Sequence, residues 1–183
     1  MNSDSILNEV GVSSEIIAEI KNFKEKYPVD DNLKYRIPKP EYIYYGEDIW
    51  NKALAALLSG NNILLTGPKA TGKNVLSECL SFVMGRPEWN VSFHINVDAS
   101  YLIGTDTYNG AKVIFRPGPI HQCAVHGGFG VLDEINMAKN EALAVLHSAL
   151  DFRKIIDVPG YERIDMSEAT RFIGTMNYGY AGT

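Results

Sequence analysis

The 183-residue sequence predicts an α/β fold in which helices cover both faces of a parallel sheet. Short apolar segments of strand type alternate with segments in which apolar residues recur at helical spacing. A loop with two glycines, GPKATGKN at residues 67–74, stands between one such strand and the helix that follows it. Two later strands are followed by polar side chains, one by Asp133 and Glu134 and the other by Asn177. Alternation of this kind is typical of parallel α/β proteins.

Four strands are predicted for the central sheet: residues 62–66, 91–97, 129–134 and 171–176. A helix that begins at the acidic pair Glu47 and Asp48 and is closed by Gly60 precedes the first strand. A second helix follows the glycine loop and stops at Gly85.

The chain is predicted to consist of an N-terminal helix with a linker, residues 1–37, and a main domain, residues 38–183. Apolar residues recur at helical spacing over residues 14–27, and a stretch with several prolines follows. Two antiparallel hairpins are predicted in the main domain, one at Asn109-Gly110 and the other at Pro159-Gly160.

Composition argues against several classes of site. The 17 Lys and Arg against 22 Asp and Glu give a formal charge of −5, which gives no electrostatic reason to propose a nucleic-acid or anionic-membrane partner. Cys79 and Cys123 form no CxxC pair, so we expect two small buried side chains and not a zinc site. No apolar run approaches the roughly 20 residues of a membrane span, and no signal pattern opens the sequence, so we expect a cytoplasmic protein.

The loop at residues 67–74 fits the phosphate-binding pattern GxxxxGK, directly after an apolar strand and before a helix. A loop with few side chains lets backbone N–H groups surround phosphate oxygens at a helix N-terminus, while Lys73 reaches the β and γ phosphates. The alternative is a glycine turn with a surface lysine. Because the strand, the helix and a later acidic motif accompany the loop, we predict a nucleotide site here.

Asp133 and Glu134 directly follow apolar residues of the third strand. In a nucleotide site of this type, the first acid holds Mg²⁺, usually through water, and the second polarises the water that attacks the γ-phosphate. The alternative is that both acids only favour the N-terminus of the next helix. Asn177 is predicted to hold the attacking water opposite Glu134, although taken alone it would be an ordinary turn asparagine.

These motifs, in this order, resemble the AAA+ ATPases. Four segments resemble more closely the MoxR branch and its dynein-related relatives, including activators of the NorQ and CbbQ type. The segments are YIYYGEDIWNKALAALLSGNNILLTGPKATGK, DASYLIGTDTYNGAKVIFRPGPI, VLDEINMAKNEALAVLHSALDFRKI and TMNYGYAGT. The resemblance covers about residues 40–183 and implies a three-layer P-loop NTPase core with the strand order 1-4-3-2.

The resemblance also implies a site that uses ATP and Mg²⁺. Its catalytic residues would be Lys73, Glu134 and Asn177, and its metal-binding residues would be Asp133 and Asn74. The nucleotide would contact the loop and the segment before the first helix of the core: Gly67, Pro68, Lys69, Ala70, Thr71, Gly72, Lys73, Asn74, Val75, Tyr45 and Gly46, with Tyr44 also near the adenine.

Relatives of this type form rings, so the resemblance implies a hexamer that remodels or activates a partner protein, one with a von Willebrand A domain in this family. The insert at residues 102–120 resembles the insertion that such rings project toward their axial pore. Tyr108 and Lys112 near its tip would then contact a partner or substrate. The alternative is a solvated hairpin that only covers the edge of the sheet.

Asn74 stands where a serine or threonine hydroxyl usually coordinates Mg²⁺. Its amide oxygen can still reach a metal, or a water molecule can take the ligand position. We expect slower hydrolysis with nucleotide binding retained, since binding depends mainly on the loop backbone and Lys73. The alternatives are a relic site, a non-hydrolysing nucleotide-sensing or scaffold module, and a GTP-driven relative associated with nucleic acid.

The family's arginine finger, second sensor, fifth strand and helical lid all follow the asparagine-ended strand, and this sequence stops at Thr183. The resemblance therefore implies an incomplete core without its C-terminal lid, and an unprotected apolar edge beside residues 62–66. It also implies weak nucleotide binding and barely detectable hydrolysis, because a trans arginine contributes about 10³ to 10⁵ in rate to related phosphoryl transfer.

Overall fold

A computed structural model describes residues 2–151, 153–156 and 163–178, except for the side chain of Val145. The helices are α1 Ser3–Glu9, α2 Ser14–Lys26, α3 Glu47–Leu58, α4 Lys73–Val83, α5 Ala99–Ile103, α6 Pro119–Val125 and α7 Asn140–Leu150. The strands are β1 Ile63–Gly67, β2 Glu88–Ser92, β3 Gly104–Tyr108, β4 Val113–Pro117, β5 Phe129–Asp133, β6 Ile155–Ile156, β7 Ile164–Asp165 and β8 Arg171–Asn177. Short 3-10 helices span Asp31–Arg36 and Ile135–Met137.

The central sheet has the order β1-β8-β5-β2, and each neighbouring pair is parallel. This confirms the predicted α/β class and the order 1-4-3-2. Gly67 at the end of β1 is opposite Asn177 at the end of β8, and Leu132 of β5 is opposite Gly174. The carboxyl ends of β1, β8 and β5 therefore meet at one edge of the sheet, where open α/β proteins bind their ligands.

Two apolar cores lie on opposite faces of the sheet, since side chains alternate along each strand. Ile173 of β8 belongs to a core that residues of α1, α2, α3 and α4 complete. Phe172, its neighbour, belongs to a second core with residues of α5, α6 and α7. The result is the predicted three-layer arrangement.

The second strand does not lie where the sequence predicts it. The expected span was 91–97, whereas β2 is Glu88–Ser92. Trp89 and Val91 are the buried members of this strand. The Phe93 N–H still donates to the Asp133 carbonyl of β5 at 2.9 Å, and beyond it the chain leaves the sheet, with Ile95 65% exposed. The prediction was wrong because the apolar residues after Ser92 have strand propensity, yet they lie past the end of the pairing with β5.

The N-terminal part contains more structure than the sequence predicts. The expected helix over 14–27 is α2, but α1 and a 3-10 helix within the presumed linker are additional. The seven-residue α1 is too short for a clear periodic signal, although the Asn2 side chain accepts a hydrogen bond from the Asp4 N–H at 3.2 Å and caps it. Its Ile6 and Leu7 are fully buried in the same core as Trp50 of α3. The division at residue 37 stays a prediction.

The first predicted hairpin is confirmed as the antiparallel pair β3–β4, which forms a separate two-stranded sheet. The side-chain oxygen of Asn109 accepts hydrogen bonds from the N–H groups of Ala111 and Lys112, which closes a loop between the strands. Tyr108 beside this loop is 70% exposed. In the second hairpin β6 and β7 pair antiparallel, and its predicted Pro159-Gly160 turn lies outside the described residues.

Strand β1 is an edge of the sheet, with no second partner strand among the described residues. An apolar groove of about 230 Å³ runs along it, formed by Ile49, Lys52, Ala53, Ile63 and Leu65. The edge lies beside the predicted first strand, and the lack of a fifth core strand stays a prediction. Cys79 and Cys123 are buried free thiols. Among the helices that the structure describes, none combines the length and hydropathy needed to cross a membrane.

Arg86 joins the N-terminal part to the base of the sheet. Its side chain is 2% exposed and donates through Nε and Nη2 to the carbonyl oxygen of Gly127. Its Nη1 donates to the carbonyl oxygen of Tyr27 at 2.6 Å. Burial lowers the pKa of this guanidinium to about 10, so it is charged at neutral pH.

We expect Arg86→Ala to lower the free energy of unfolding by about 2–4 kcal/mol, because it leaves two carbonyl groups without their charged donor. For a chain of this size, that loss corresponds to a fall of roughly 5–15 °C in melting temperature. Urea and thermal unfolding measure it, with the exposed Arg116→Ala as the matched control. Equal stability of the two variants would contradict the role of Arg86.

Candidate functional site

The phosphate loop joins the end of β1 at Gly67 to the start of α4 at Lys73. Two of its residues adopt left-handed backbone conformations, Ala70 with φ 59° and Gly72 with φ 80°. Left-handed residues within a short loop produce the backbone concavities that bind anions. The loop also ends at the N-terminus of an eleven-residue helix, whose dipole favours negative charge.

Lys73 lies over this loop. Its Nζ donates hydrogen bonds to the carbonyl oxygens of Gly67 at 3.2 Å and Pro68 at 2.6 Å. The Thr71 hydroxyl donates to the same Pro68 carbonyl at 3.0 Å. The ammonium group is therefore held at the loop by carbonyl oxygens, and it forms no ion pair with a carboxylate among the residues that the structure describes. Phosphate oxygens can replace the two carbonyl groups.

Thr175 connects the two acidic residues. Its hydroxyl donates to Asp133 Oδ1 at 2.5 Å and accepts a hydrogen bond from the Glu134 N–H at 3.1 Å. The side chain is almost fully buried. Thr175 was not predicted as a site residue, but a signal exists in the sequence. It lies two positions before Asn177 on β8, so both side chains are on the same face of the strand.

Glu134 has an unusual backbone conformation, with φ 51° and ψ 45°. This left-handed conformation is uncommon for residues other than glycine and costs roughly 1–3 kcal/mol. Asn177 Nδ2 donates to Glu134 Oε1 at 3.0 Å. The structure thus holds the carboxylate of Glu134 beside Asn177 at the end of β8. The handling of the attacking water by this pair stays a prediction.

One cavity of about 400 Å³ joins these groups. Its walls are formed by the loop and by the ends of β5 and β8: Lys69, Ala70, Thr71, Gly72, Lys73, Asn74, Val75, Asp133, Glu134, Thr175 and Asn177. Among the predicted nucleotide contacts, Gly67, Pro68, Tyr45 and Gly46 are not part of this wall. Gly67 and Pro68 instead hold Lys73 through their carbonyl groups.

The two tyrosines before α3 lie in different surroundings. Tyr45 is 65% exposed, and its hydroxyl donates to Glu9 Oε1 of α1 at 2.6 Å, a bond that raises the pKa of the phenol. Tyr44 lies against the phosphate loop, since a Cβ atom on Gly72 would come within 3.2 Å of its ring. The Trp50 indole N–H donates to the Tyr44 carbonyl at 2.8 Å. Nucleotide contact by Tyr45 and Gly46 stays a prediction.

Two residues of the cavity wall have side chains of the kind that magnesium prefers. Asp133 and Asn74 both line it and offer carboxylate and amide oxygens. Mg²⁺ prefers oxygen ligands and takes few of them from a protein, with water and substrate phosphates completing its shell. Binding of Mg²⁺ by Asn74 and Asp133 stays a prediction.

The sequence that contains these residues matches a known protein family. Residues 62–183, more than half of the chain, match the family model described as "AAA domain (dynein-related subfamily)". The chain belongs to this AAA subfamily. The matched range contains the phosphate loop, the acidic pair and Asn177.

Several curated relatives of this AAA domain have no assigned activity. "Uncharacterized protein YojN" of Bacillus subtilis (strain 168) is 33% identical over 182 residues, which cover 97% of this chain and 60% of YojN. "Uncharacterized protein SSP1341" of Staphylococcus saprophyticus is 35% identical over 148 residues, 78% of this chain and 56% of that protein. The chain thus spans less than two thirds of the length of these relatives.

A solved structure supports the fold of the AAA domain. It is the crystal structure described as that of a "putative ATPase" from Cytophaga hutchinsonii, with a TM-score of 0.58 and 19% sequence identity. The similarity covers 91% of this chain and 46% of the other. At this identity the match concerns the fold alone.

Proposed function

We propose that this AAA domain binds ATP with Mg²⁺ and hydrolyses the nucleotide. The observation that supports this most strongly is the single cavity in which the phosphate loop, Lys73, Asp133, Glu134 and Asn177 meet. A chance glycine turn would not place a lysine and a carboxylate–amide pair around one cavity. Membership of the AAA family agrees with ATPase activity of this general type.

Each residue of the cavity has a separate role in the proposed reaction. Backbone N–H groups of the loop and the ammonium of Lys73 bind the β and γ phosphates. Glu134 accepts a proton from water as the water oxygen bonds to the γ-phosphorus and the bond from that phosphorus to ADP breaks. Asn177 orients Glu134 through their 3.0 Å hydrogen bond. Bound Mg²⁺ would neutralise charge on the phosphates, with Asp133 and Asn74 as the residues that hold it.

We further propose that the protein acts as a cytoplasmic, hexameric ring subunit of MoxR type that remodels or activates a partner protein. The hairpin β3–β4 supports this, because among the described strands β3 and β4 pair only with each other, and Tyr108 and the apolar Val113 are exposed. Tyr108 and Lys112 would contact that partner, for which a von Willebrand A domain is the proposed type. A pull-down experiment tests this contact. We expect the parent protein to retain the partner and the Tyr108→Ala variant to lose it.

A second candidate is a nucleotide-sensing module that does not hydrolyse ATP. The observation that favours it is Asn74, which places an amide where a hydroxyl ligand of the metal is usual. Both functions predict ATP binding, and only the first predicts phosphate release.

Binding and single-turnover phosphate release, measured with ATP and with GTP, separate these functions. We expect binding and slow release with ATP and weaker binding with GTP. YojN serves as the comparison, because this chain corresponds to only 60% of its length. We expect ATP turnover to be faster in YojN than in this chain. Tight ATP binding without phosphate release in either protein would favour the sensing module, and preference for GTP would contradict both.

We expect Asn74→Thr to lower the Mg²⁺ concentration that gives half-maximal turnover. A threonine hydroxyl is the usual ligand at this position and coordinates the ion directly at short distance. The turnover rate itself should change by less than about tenfold, since Lys73 and Glu134 are unaffected. A Mg²⁺ titration of phosphate release measures both quantities, with the exposed Asn61→Thr as the control. An unchanged Mg²⁺ requirement would remove Asn74 from the metal site.

A further inference from the structure

Thr175 of β8 lies at the point where β5 leaves the central sheet. The pairing of β5 with β8 ends at Leu132 and Gly174, whereas β8 continues beside β1 as far as Asn177. Just past this end, the Glu134 N–H donates to the Thr175 hydroxyl at 3.1 Å. A hydroxyl group thus takes the place that a backbone carbonyl has in a regular ladder, and it does so at the residue proposed as the general base.

This exchange allows the chain to turn at Glu134. Its backbone is left-handed, with φ 51°, and the 3-10 helix Ile135–Met137 follows it. A residue other than glycine keeps such a conformation only where its surroundings hold it. The bond from its N–H to Thr175 is one such contact, and the 3.0 Å bond from Asn177 to its carboxylate is another. The backbone and the side chain of Glu134 are therefore both held from β8.

The same hydroxyl group also orients Asp133. A threonine hydroxyl has one proton to donate. Its oxygen accepts the Glu134 N–H, and its proton is donated to Asp133 Oδ1 at 2.5 Å. Thr175 is 1% exposed, which protects both bonds from bulk water. One buried group therefore fixes the two neighbouring acids of the site relative to each other.

Thr170 shows a buried threonine with a structural role in the same part of the fold. It precedes β8 at the end opposite Asn177, and its hydroxyl donates to the backbone carbonyl groups of Cys123 and Ala124. It does not line the cavity of the phosphate loop. Thr175, in contrast, lines that cavity and donates to a side chain of the site.

We propose that Thr175 is a positioning residue for ATP hydrolysis, which holds the Asp133 carboxylate and the Glu134 backbone in the arrangement that the reaction needs. This rests on the hydrolytic function proposed above. Thr175 exchanges no proton in the step, since the proton of the attacking water passes to Glu134. Misplacement of a reacting group by about 1 Å can lower a rate by about a hundredfold, so loss of the two bonds should affect turnover more than binding.

Valine and serine separate the hydroxyl of Thr175 from its shape. Thr175→Val keeps the shape and removes both bonds, whereas Thr175→Ser keeps the hydroxyl. We expect Thr175→Val to lower the single-turnover rate at saturating ATP by about ten- to thirtyfold, with an affinity for ATP within about threefold of the parent. Thr175→Ser should restore most of the rate. Single-turnover phosphate release and fluorescent ATP binding measure the two quantities.

Thr170→Val is the matched control, because it removes the hydroxyl of a buried threonine outside the cavity. Both valine variants lose hydrogen bonds, so we expect both to melt about 2–5 °C below the parent. Only Thr175→Val should lose rate. The pair therefore separates positioning from a general weakening of the fold.

A double variant tests whether Thr175 acts through the acids. In the Glu134→Gln background, Thr175→Val should slow phosphate release by a smaller factor than in the parent, because the base that it positions is already gone.

Four results would each overturn the role of Thr175 while hydrolysis by the parent still stood. They are a parent-like rate in Thr175→Val, an equally slow Thr175→Ser, an equal loss of rate in Thr170→Val, and an undiminished effect in the Glu134→Gln background. A loss of ATP binding as large as the loss of rate would overturn it as well. A parent that binds ATP and releases no phosphate would overturn the hydrolytic function itself, and the role of Thr175 with it.

Discussion

Replacing Glu134 by glutamine should leave ATP binding within about threefold of the parent and lower phosphate release by about 10² to 10⁴, the usual contribution of a general base. Glutamine keeps the size of the side chain and can still bond to Asn177. It cannot accept the proton of the attacking water. Because the left-handed backbone of Glu134 is set by its neighbours on β5 and β8, the substitution should not move the site.

Fluorescent ATP binding and single-turnover phosphate release measure the two effects separately. Glu141→Gln is the matched control, since Glu141 is an exposed residue in the first turn of α7. Release that is equally fast in the Glu134 variant and the control would remove Glu134 from the mechanism. A large loss of binding would show instead that Glu134 holds the nucleotide in the ground state.

Replacing Lys73 by alanine should weaken ATP binding by about tenfold to a hundredfold, the range for loss of charge-assisted hydrogen bonds. The ammonium now donates to the carbonyl groups of Gly67 and Pro68, and these bonds can be exchanged for bonds to phosphate oxygens. Phosphate release should fall at least as much, because charge on the γ-phosphate must be stabilised as the bond breaks.

The rise in melting temperature on adding ATP reports this loss without any need for turnover. We expect a clear rise in the parent, a similar rise in the exposed control Lys21→Ala, and almost none in Lys73→Ala at the same ATP concentration. A full rise in the Lys73 variant would mean that the loop backbone alone holds the phosphates.

The sequence was sufficient for those parts of the site that depend on strand ends. Asp133, Glu134 and Asn177 each follow an apolar strand, and in a parallel sheet such ends converge whatever the exact register. The glycine loop is predictable for a related reason, since phosphate binding depends on one short stretch of backbone and not on distant contacts. For these reasons the phosphate loop and the polar cluster were predictable from a single sequence.

Contacts that depend on register and side-chain direction were not predictable in this way. The two bonds of Thr175 require β8 to lie beside β5 in one register. The β2 strand was misplaced because strand propensity continues past Ser92, while its pairing with β5 does not. Tertiary pairing overrides propensity in such cases.

The burial of α1 and α2 has a consequence for the modularity of this domain. The stretch recognisable as a family begins at residue 62, yet Ile6, Leu7 and Ile20 are fully buried against α3 and α4. Cutting the chain at residue 62 would expose that apolar surface to water, at about 25 cal/mol per Å², and would leave Arg86 without the carbonyl of Tyr27. The range that the family model matches is therefore shorter than the unit that packs together, and a transfer of this domain into another protein should include residues 2–61.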